Sequence, residues 1–332
     1  MKESEIRPQN LFDEFLEIAK QDAVSFFSKR KSFVNIICCP VCNRKNNPVA
    51  FRKERFDYRE CLKCGTLYVS PRPTKKMMQE FYRKSQSSKF LAEKFYKATE
   101  NARREKIFRP RAIEISDIVK EYSDSSKRFV DIGSGYGTFL EEIKSQELFS
   151  EIYGIEPSPH LADVCRSKGF EIIESTLENM KVENSFDFAT SFELLEHVYS
   201  PEEFLLAVNK ILIKKGILYL TTLNCKGFDL LILRENSKSI SPPHHINFIN
   251  PGSLKMLLLK TGFEIIDIST PGKIDIDIVL NYAKEDEIEC DNFTKYLLFE
   301  TDEKVKENFQ RFLQKNRLSS HIRVIARKTA DK

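Results

Sequence analysis

Four cysteines stand in two pairs whose spacing could hold a metal ion. Cys39 and Cys42 form one Cys-x-x-Cys pair, and Cys61 and Cys64 form a second pair after eighteen intervening residues. Each pair presents two thiolates from one tight turn, and two such turns together give the tetrahedral sulfur site that Zn²⁺ prefers. Because protein ligands fill all four positions, the predicted zinc is structural, with no open position for substrate. The alternative is two unrelated turns with buried or redox-active thiols, and the adjacent Cys38 could replace one ligand.

A glycine-rich loop after a short apolar stretch is the second feature that could do chemistry. Its residues are Asp131, Gly133, Ser134, Gly135 and Gly137. Glycines let the backbone turn sharply and approach a ligand closely at the end of a strand. Glu156 ends the next apolar stretch, where a carboxylate can accept both hydroxyl hydrogens of a ribose. NAD and S-adenosylmethionine (SAM) both fit this pattern. The Asp131 carboxylate would repel a pyrophosphate and attract an α-ammonium group, which favours SAM.

On these residues, the segment 127–332 resembles a class I SAM-dependent methyltransferase, and the whole chain resembles bacterial methyltransferases with an N-terminal zinc ribbon. The run Leu195-Glu196-His197 is similar to the segment that follows the fourth strand in that family. The family usually has an acidic residue for the adenine after its third strand, and this chain has Thr176 and Leu177 there instead. The resemblance implies that the Thr176 hydroxyl, the Leu177 backbone and Ser191, at the end of the fourth strand, complete the cofactor site.

Three histidines are the candidates for the base that would remove a proton from the methyl acceptor. His244 and His245 follow two prolines after the fifth strand, where class I methyltransferases admit substrate, and the resembling family has a similar His-Ile-Asn-Phe segment. His245 is the first candidate, His244 the second and His197 the third. The alternatives are a loop histidine that caps the next helix and, for His197, packing within its own segment. His160 and His321 are expected to be surface or core residues.

The elements that position these residues form a Rossmann-like, doubly wound α/β fold with a seven-stranded sheet. Its predicted strands are 128–132, 152–155, 170–174, 186–191, 217–222, 263–268 and, antiparallel at the edge, 321–328. Four regions follow: an N-terminal amphipathic helix in 1–35, a zinc ribbon in 36–72, a helical linker in 73–126, and the methyltransferase domain in 127–332. A helical insertion at about 274–318 could cover the substrate site.

Composition excludes a disordered or collagen-like chain, since 41% of the 332 residues are hydrophobic and 31% are charged. The absence of a signal peptide pattern and of a long apolar run predicts a cytoplasmic protein with no transmembrane segment. The resemblance implies a small acceptor, such as a sugar nucleotide or a glycan hydroxyl. Residues 1–130 hold 29 basic and 17 acidic residues, so RNA methylation is an alternative. A non-catalytic scaffold is a third hypothesis, and the sequence does not predict the oligomeric state.

Overall fold

The computed structural model describes residues 2–28, 33–122, 127–180, 183, 185–284 and 289–332. The strands of these residues are Val49–Lys53 (β1), Phe56–Glu60 (β2), Leu67–Val69 (β3), Arg128–Ile132 (β4), Glu151–Ile155 (β5), Glu171–Ile173 (β6), Phe186–Phe192 (β7), Leu212–Leu223 (β8), Asn247–Phe248 (β9), Phe263–Ser269 (β10) and His321–Lys328 (β11). They form two sheets, one of four strands and one of seven.

The α-helices of the same residues are Glu3–Ile6 (α1), Gln9–Phe27 (α2), Lys75–Lys84 (α3), Gln86–Phe90 (α4), Tyr96–Arg103 (α5), Arg109–Tyr122 (α6), Thr138–Lys144 (α7), Pro159–Ser167 (α8), Pro201–Ile211 (α9), Phe228–Leu233 (α10), Pro251–Lys260 (α11), Asp275–Lys284 (α12), Asn292–Lys295 (α13) and Glu303–Lys315 (α14). Three π-helical segments, Leu91–Phe95, Arg104–Phe108 and Tyr296–Glu300, continue α4, α5 and α13. In the described part of the chain, no helix has both the length and the apolar content needed to cross a membrane.

The seven-stranded sheet confirms the predicted doubly wound fold. Its strand order is β10-β11-β8-β7-β4-β5-β6, and β11 is antiparallel to both of its neighbours. The chain runs outward from the central β4 to β5 and β6 on one side, and then returns to β7 and β8 on the other. This reversal leaves a crevice at the carboxyl ends of the strands, which is where open α/β sheets bind ligands.

The fifth strand of the large sheet differs from the prediction at its start. The sequence predicts a turn at Lys214, Lys215 and Gly216, yet β8 runs without a break from Leu212 to Leu223. Lys215 has a positive φ of 69°, and the pairing of β8 with β7 shifts register beside it. The predicted turn is therefore an irregularity inside one long strand, which bends without leaving the sheet.

The four-stranded sheet joins distant parts of the chain. Its order is β1-β2-β3-β9, so the ribbon strands of residues 49–69 receive their last strand from residues 247–248. Leu67 pairs with Phe248, and Tyr68 pairs with Asn247, in antiparallel register. Sequence periodicity does not show this strand because two residues carry no detectable pattern. The pairing places the segment with His244 and His245 against the cysteine-bearing ribbon.

A layer of helices covers the other side of the crevice. Phe15 and Ala19 of α2 pack with Phe90 of α4 and Phe95 of the adjoining π-helical segment in a small apolar core. The amphipathic helix predicted within residues 1–35 corresponds to α2, an internal packing element with its apolar side turned to its neighbours.

Candidate active site

The four predicted metal ligands lie together at the turns of the ribbon. The Sγ atoms of Cys39 and Cys64 are 3.5 Å apart, those of Cys42 and Cys61 are 3.4 Å apart, and all four lie within 4.8 Å of one another. Four sulfurs at about 2.3 Å from one Zn²⁺ would lie about 3.8 Å apart, so the cluster fits a tetrahedral ion after small adjustments. Cys38 is not part of this group.

A cleft of about 820 Å³ occupies the crevice of the large sheet. Gly133 and Gly135 of the glycine loop line it, as do Glu156 after β5 and Thr176 after β6. The opposite wall consists of residues from α3 to α5 and the segments beside them. These wall residues include Met78, Tyr82, Arg83, Leu91 and Tyr96. The cleft is thus enclosed between the sheet and the helices that precede it.

The glycine loop needs its glycines for conformation and for space. Gly135 has a φ of +55°, and its N–H donates a hydrogen bond of 2.9 Å to Glu156 Oε2. Gly137 has a φ of +75° at the start of α7, and a Cβ there would lie 2.9 Å from the Sγ of Cys165. Ser134 is buried beneath the loop, with its hydroxyl 3.4 Å from the carbonyl oxygen of Asp131. The backbone can therefore come closest to a ligand at Gly133 and Gly135.

Two carboxyl groups underlie this end of the cleft. Asp131 is only 2% exposed, and its Oδ1 accepts a 2.7 Å hydrogen bond from the Thr190 hydroxyl. Glu156 is 6% exposed and also accepts the Ser158 N–H at 2.9 Å. Burial raises the pKa of each group to about 7. Carboxylate oxygens have further lone pairs, so Glu156 can accept ribose hydroxyls in addition to the backbone N–H groups.

Two buried hydroxyls predicted for the cofactor site have no hydrogen-bond partner among the described residues. Thr176 Oγ1 lies at the cleft wall, whereas Ser191, at the end of β7, is not among the residues that line the cleft. A buried hydroxyl without a partner is costly, and a ligand with hydrogen-bonding groups would remove that cost. Leu177, next to Thr176, also lines the cleft. The residues present therefore fit a nucleoside ligand such as SAM.

A cluster of a carboxylate and two imidazoles lies beside the other end of the cleft. Potential ligand atoms of Glu196, His197 and His245 all lie within 4.8 Å of one another, and the two imidazole centroids are 4.5 Å apart. His245 Nδ1 is 2.6 Å from the Ser239 carbonyl oxygen, so this nitrogen carries the proton and donates it there. Thr222 donates its hydroxyl hydrogen to Glu196 Oε2 at 2.8 Å. Of the three residues, His197 lines the cleft, whereas Glu196 and His245 are not among the lining residues.

The electrostatic surroundings keep both imidazoles neutral near pH 7. Burial lowers the pKa of His245 to about 4, and burial together with the neighbouring histidines lowers the pKa of His197 well below its usual value. Burial and the adjacent Glu193 carboxylate raise the pKa of Glu196. The cluster therefore offers neutral imidazole nitrogens beside a carboxyl group of high proton affinity.

His244 has a different environment from its neighbour. Its side chain lies in an aromatic pocket, with ring centroids 4.9 Å from Phe81 and 5.6 Å from Phe15. Nε2 is 3.3 Å from the Ser87 hydroxyl, and burial lowers the pKa of His244 to about 3. His244 also lines the cleft, so it shapes the wall next to the His197 and His245 cluster.

Glu193 and Tyr82 are residues of this site that sequence reasoning missed. Glu193 lines the cleft with a strained φ of 48°, and its Oε1 accepts a 2.7 Å hydrogen bond from Thr221. His321, expected to be a surface or core residue, has its Nε2 3.8 Å from Glu193 Oε2. Tyr82 donates its hydroxyl hydrogen to the His244 carbonyl oxygen. Glu193 stands three residues before Glu196 in the segment after the fourth strand, and that spacing could have indicated it.

The sheet order and the position of the cleft are those of a class I methyltransferase fold. Residues 104–268 match the family described as Methyltransferase domain. The ubiquinone biosynthesis O-methyltransferase of Xanthomonas euvesicatoria pv. vesicatoria (strain 85-10) is 30% identical over 156 residues, which cover 43% of this chain and 64% of that protein. The protein of the same description from Rickettsia canadensis (strain McKiel) is 26% identical over 165 residues, 46% of this chain and 70% of that protein.

A solved SAM-dependent methyltransferase from Archaeoglobus fulgidus is 20% identical, with a TM-score of 0.44, and the match covers 68% of this chain and 97% of that one. The match to the Xanthomonas protein named above spans less than two thirds of the length of that protein.

Proposed function

We propose that this protein transfers a methyl group from SAM to a hydroxyl group of a small acceptor. The observation that carries the proposal is that one cleft connects the glycine loop and Glu156 with His197 and Glu193. A cofactor and an acceptor bound at the two ends would meet inside a single enclosed space, and such positioning supplies much of the rate of methyl transfer.

The cofactor end has a suitable residue for each part of SAM. Glu156 would accept the ribose hydroxyls, and Thr176 with Leu177 would contact the adenine. The backbone of the glycine loop, with Asp131 beneath it, would hold the amino-acid part. When bound, SAM supplies a methyl group already activated by its sulfonium. The protein then has to orient the acceptor and remove its proton.

The acceptor end favours a hydroxyl group on a phosphate-bearing molecule, such as a sugar nucleotide. The relatives named above are O-methyltransferases, which supports an oxygen acceptor. Arg83 lines the same cleft with its side chain exposed, and a guanidinium there can bind a phosphate group. The proton of the hydroxyl would leave at the cluster of Glu196, His197 and His245, with His244 as part of the wall.

A structural zinc ion completes the proposal. Cys39, Cys42, Cys61 and Cys64 would hold Zn²⁺ and keep the ribbon folded against the segment that contains His245.

Calorimetric titration with S-adenosylhomocysteine (SAH), the product form of the cofactor, tests the proposal. We expect micromolar binding by the wild type and at least tenfold weaker binding by Glu156→Gln, since each hydrogen bond to a charged group is worth about 1.5–3 kcal/mol. Glu171→Gln is the matched control, because Glu171 is an exposed acid on β6. Methylation of sugar nucleotides by labelled SAM then tests the acceptor. No SAH binding by the wild type would contradict methyl transfer and favour a scaffold role.

A further inference from the structure

We propose that Glu196, His197 and His245 bind a divalent metal cation at the acceptor end of the cleft, separate from the four-cysteine site. The binding itself follows from the geometry of these residues, whereas its role in catalysis rests on the function proposed above.

The donor set and its spacing are those of a metal site. One carboxylate and two imidazoles leave positions open on a divalent cation of the Mn²⁺, Fe²⁺ or Zn²⁺ type. Their candidate ligand atoms lie within 4.8 Å of one another. Ligands at about 2.1 Å from a common ion lie about 3–4 Å apart, so small side-chain movements close the site. The carboxylate belongs to a residue that is only 1% exposed.

Neighbouring groups orient each ligand in the way that metal sites require. His245 gives its Nδ1–H to the Ser239 carbonyl oxygen, which leaves Nε2 as a free acceptor. His197 Nδ1 lies 3.4 Å from the Tyr82 hydroxyl, which leaves its Nε2 for an ion. Thr222 holds one oxygen of Glu196 at 2.8 Å. Such outer contacts set the tautomer and the direction of ligands in known metal sites.

The backbone fixes the two ligand segments to each other. The N–H groups of Ile246 and Asn247 donate to the carbonyl oxygen of Glu196 at 2.9 and 3.2 Å. Tyr58 donates its hydroxyl hydrogen to the carbonyl oxygen of His245 at 2.8 Å. These hydrogen bonds hold the backbones of the two ligand segments in place relative to each other. The three ligand side chains are therefore kept close together.

Glu193 gives independent support from a buried carboxylate oxygen. Its Oε2 makes no hydrogen bond to any described residue, and His321 Nε2 lies 3.8 Å away. Arg111 Nη2 lies 3.7 Å from the other oxygen, Oε1. A divalent cation could take Glu193 Oε2 as a further ligand, directly or through water.

The cation would activate the acceptor hydroxyl in the proposed reaction. The hydroxyl oxygen would bind the cation, which lowers the hydroxyl pKa. Its proton would then leave to solvent water, because the imidazole nitrogens that would accept it without a cation are bound to the ion. The oxygen then gives an electron pair to the methyl carbon of SAM. The carbon–sulfur bond breaks, its electron pair stays on sulfur, and the products are the methyl ether and SAH. Two adjacent hydroxyls of a sugar could bind the same ion and so fix the position that is methylated.

Titration with Mn²⁺, followed by electron paramagnetic resonance of the free ion, tests the site on protein that already contains one zinc per chain. Mn²⁺ prefers oxygen and imidazole ligands and would leave the cysteines to zinc. We expect one bound Mn²⁺ per wild-type chain and at least tenfold weaker binding by both Glu196→Gln and His245→Gln. His160→Gln, at an exposed histidine, is the matched control and should bind Mn²⁺ normally.

The variants must keep the circular dichroism spectrum of the wild type, which checks that they fold. Thr222→Val is a milder change that leaves all three ligands in place and should still weaken Mn²⁺ binding. SAH titration of the same samples separates the two proposals. Absence of Mn²⁺ binding by wild type, or equal binding by wild type and Glu196→Gln, would overturn the metal site even if SAH binds. Binding of Mn²⁺ without SAH would keep the metal site and contradict the proposed methyl transfer.

Discussion

The buried carboxyl groups of Asp131 and Glu156 make cofactor affinity depend on pH near neutrality. Burial raises both pKa values to about 7, and the proposed complex needs the ionised forms, one near an ammonium group and one for ribose hydroxyls. The protein should therefore bind the cofactor above pH 7 and lose this affinity as the pH falls through 7. We expect the Kd for SAH to rise roughly tenfold or more between about pH 7.5 and 5.5. Calorimetry with Asp131→Asn should give weaker binding and a flatter profile, and a constant wild-type Kd would contradict this assignment.

The unpaired hydroxyl of Thr176 predicts a variant that separates binding from stability. Thr176→Val removes a buried group that has no partner in the described residues, so the protein should be as stable as the wild type or slightly more so. SAH affinity should fall about fivefold, since a neutral hydrogen bond is worth about 1 kcal/mol. Ser175→Ala is the control, because that hydroxyl already donates to a carbonyl oxygen of the chain. Equal effects of both variants on affinity would remove Thr176 from the adenine contact.

The identities of several site residues could be predicted from the sequence more readily than their contacts. Two groups lie in short segments of the sequence: the four cysteines, and the glycine loop with Glu156. The structure brings the members of each group together. Glu193 was missed although it stands three residues before Glu196, because its contacts Thr221 and His321 lie in other strands. The association of His197 with His245 depends on β9, which periodicity cannot detect.

At the scale of elements, Arg72 links the ribbon to the acceptor end of the cleft. Its guanidinium is 1% exposed and donates to the carbonyl oxygens of Val69 and Tyr199 and to Asn247 Oδ1, at 3.0, 2.9 and 3.2 Å. Arg72→Met would leave these acceptors unpaired. We expect the free energy of unfolding in urea to fall by about 2–4 kcal/mol.

Arg83→Met is the matched control for this prediction, since Arg83 is exposed and its loss should change stability by less than about 0.5 kcal/mol. An Arg72→Met protein as stable as the wild type would show that the buried guanidinium does not hold the ribbon in place.

The second cysteine pair is connected to α11 as well as to the metal site. Asn250, which caps α11, donates its side-chain N–H to the Cys64 carbonyl oxygen at 2.7 Å. Cys61→Ser should lose zinc in metal analysis and abolish methyl transfer, because β9 and the His245 segment then lose their support. SAH binding should persist, since the glycine loop belongs to the other sheet. Full zinc content in Cys61→Ser would contradict the assigned ligand, and the Cys290→Ser variant, a buried cysteine away from the cluster, should keep its zinc.

At the scale of the whole molecule, the two halves of the chain have opposite net charge and pair with each other. Arg104 binds Glu141 and Glu142 at 2.7 and 2.8 Å, and Arg109 binds Glu142 at 3.0 Å. Part of the basic excess in residues 1–130 therefore faces acids of the methyltransferase domain. We expect purified protein to show no excess absorbance at 260 nm and no salt-dependent RNA binding in filter assays. Retained RNA that is released as salt rises would favour the RNA methyltransferase alternative.

The strand β9 also determines when the ribbon sheet can finish folding. The ribbon strand β3 is complete once residue 69 has left the ribosome, yet its partner Asn247–Phe248 is made about 180 residues later. Until then the outer edge of β3 has no strand to pair with. A nascent chain that pauses before residue 247 would therefore carry an exposed strand edge, which is the feature most prone to pair with another chain.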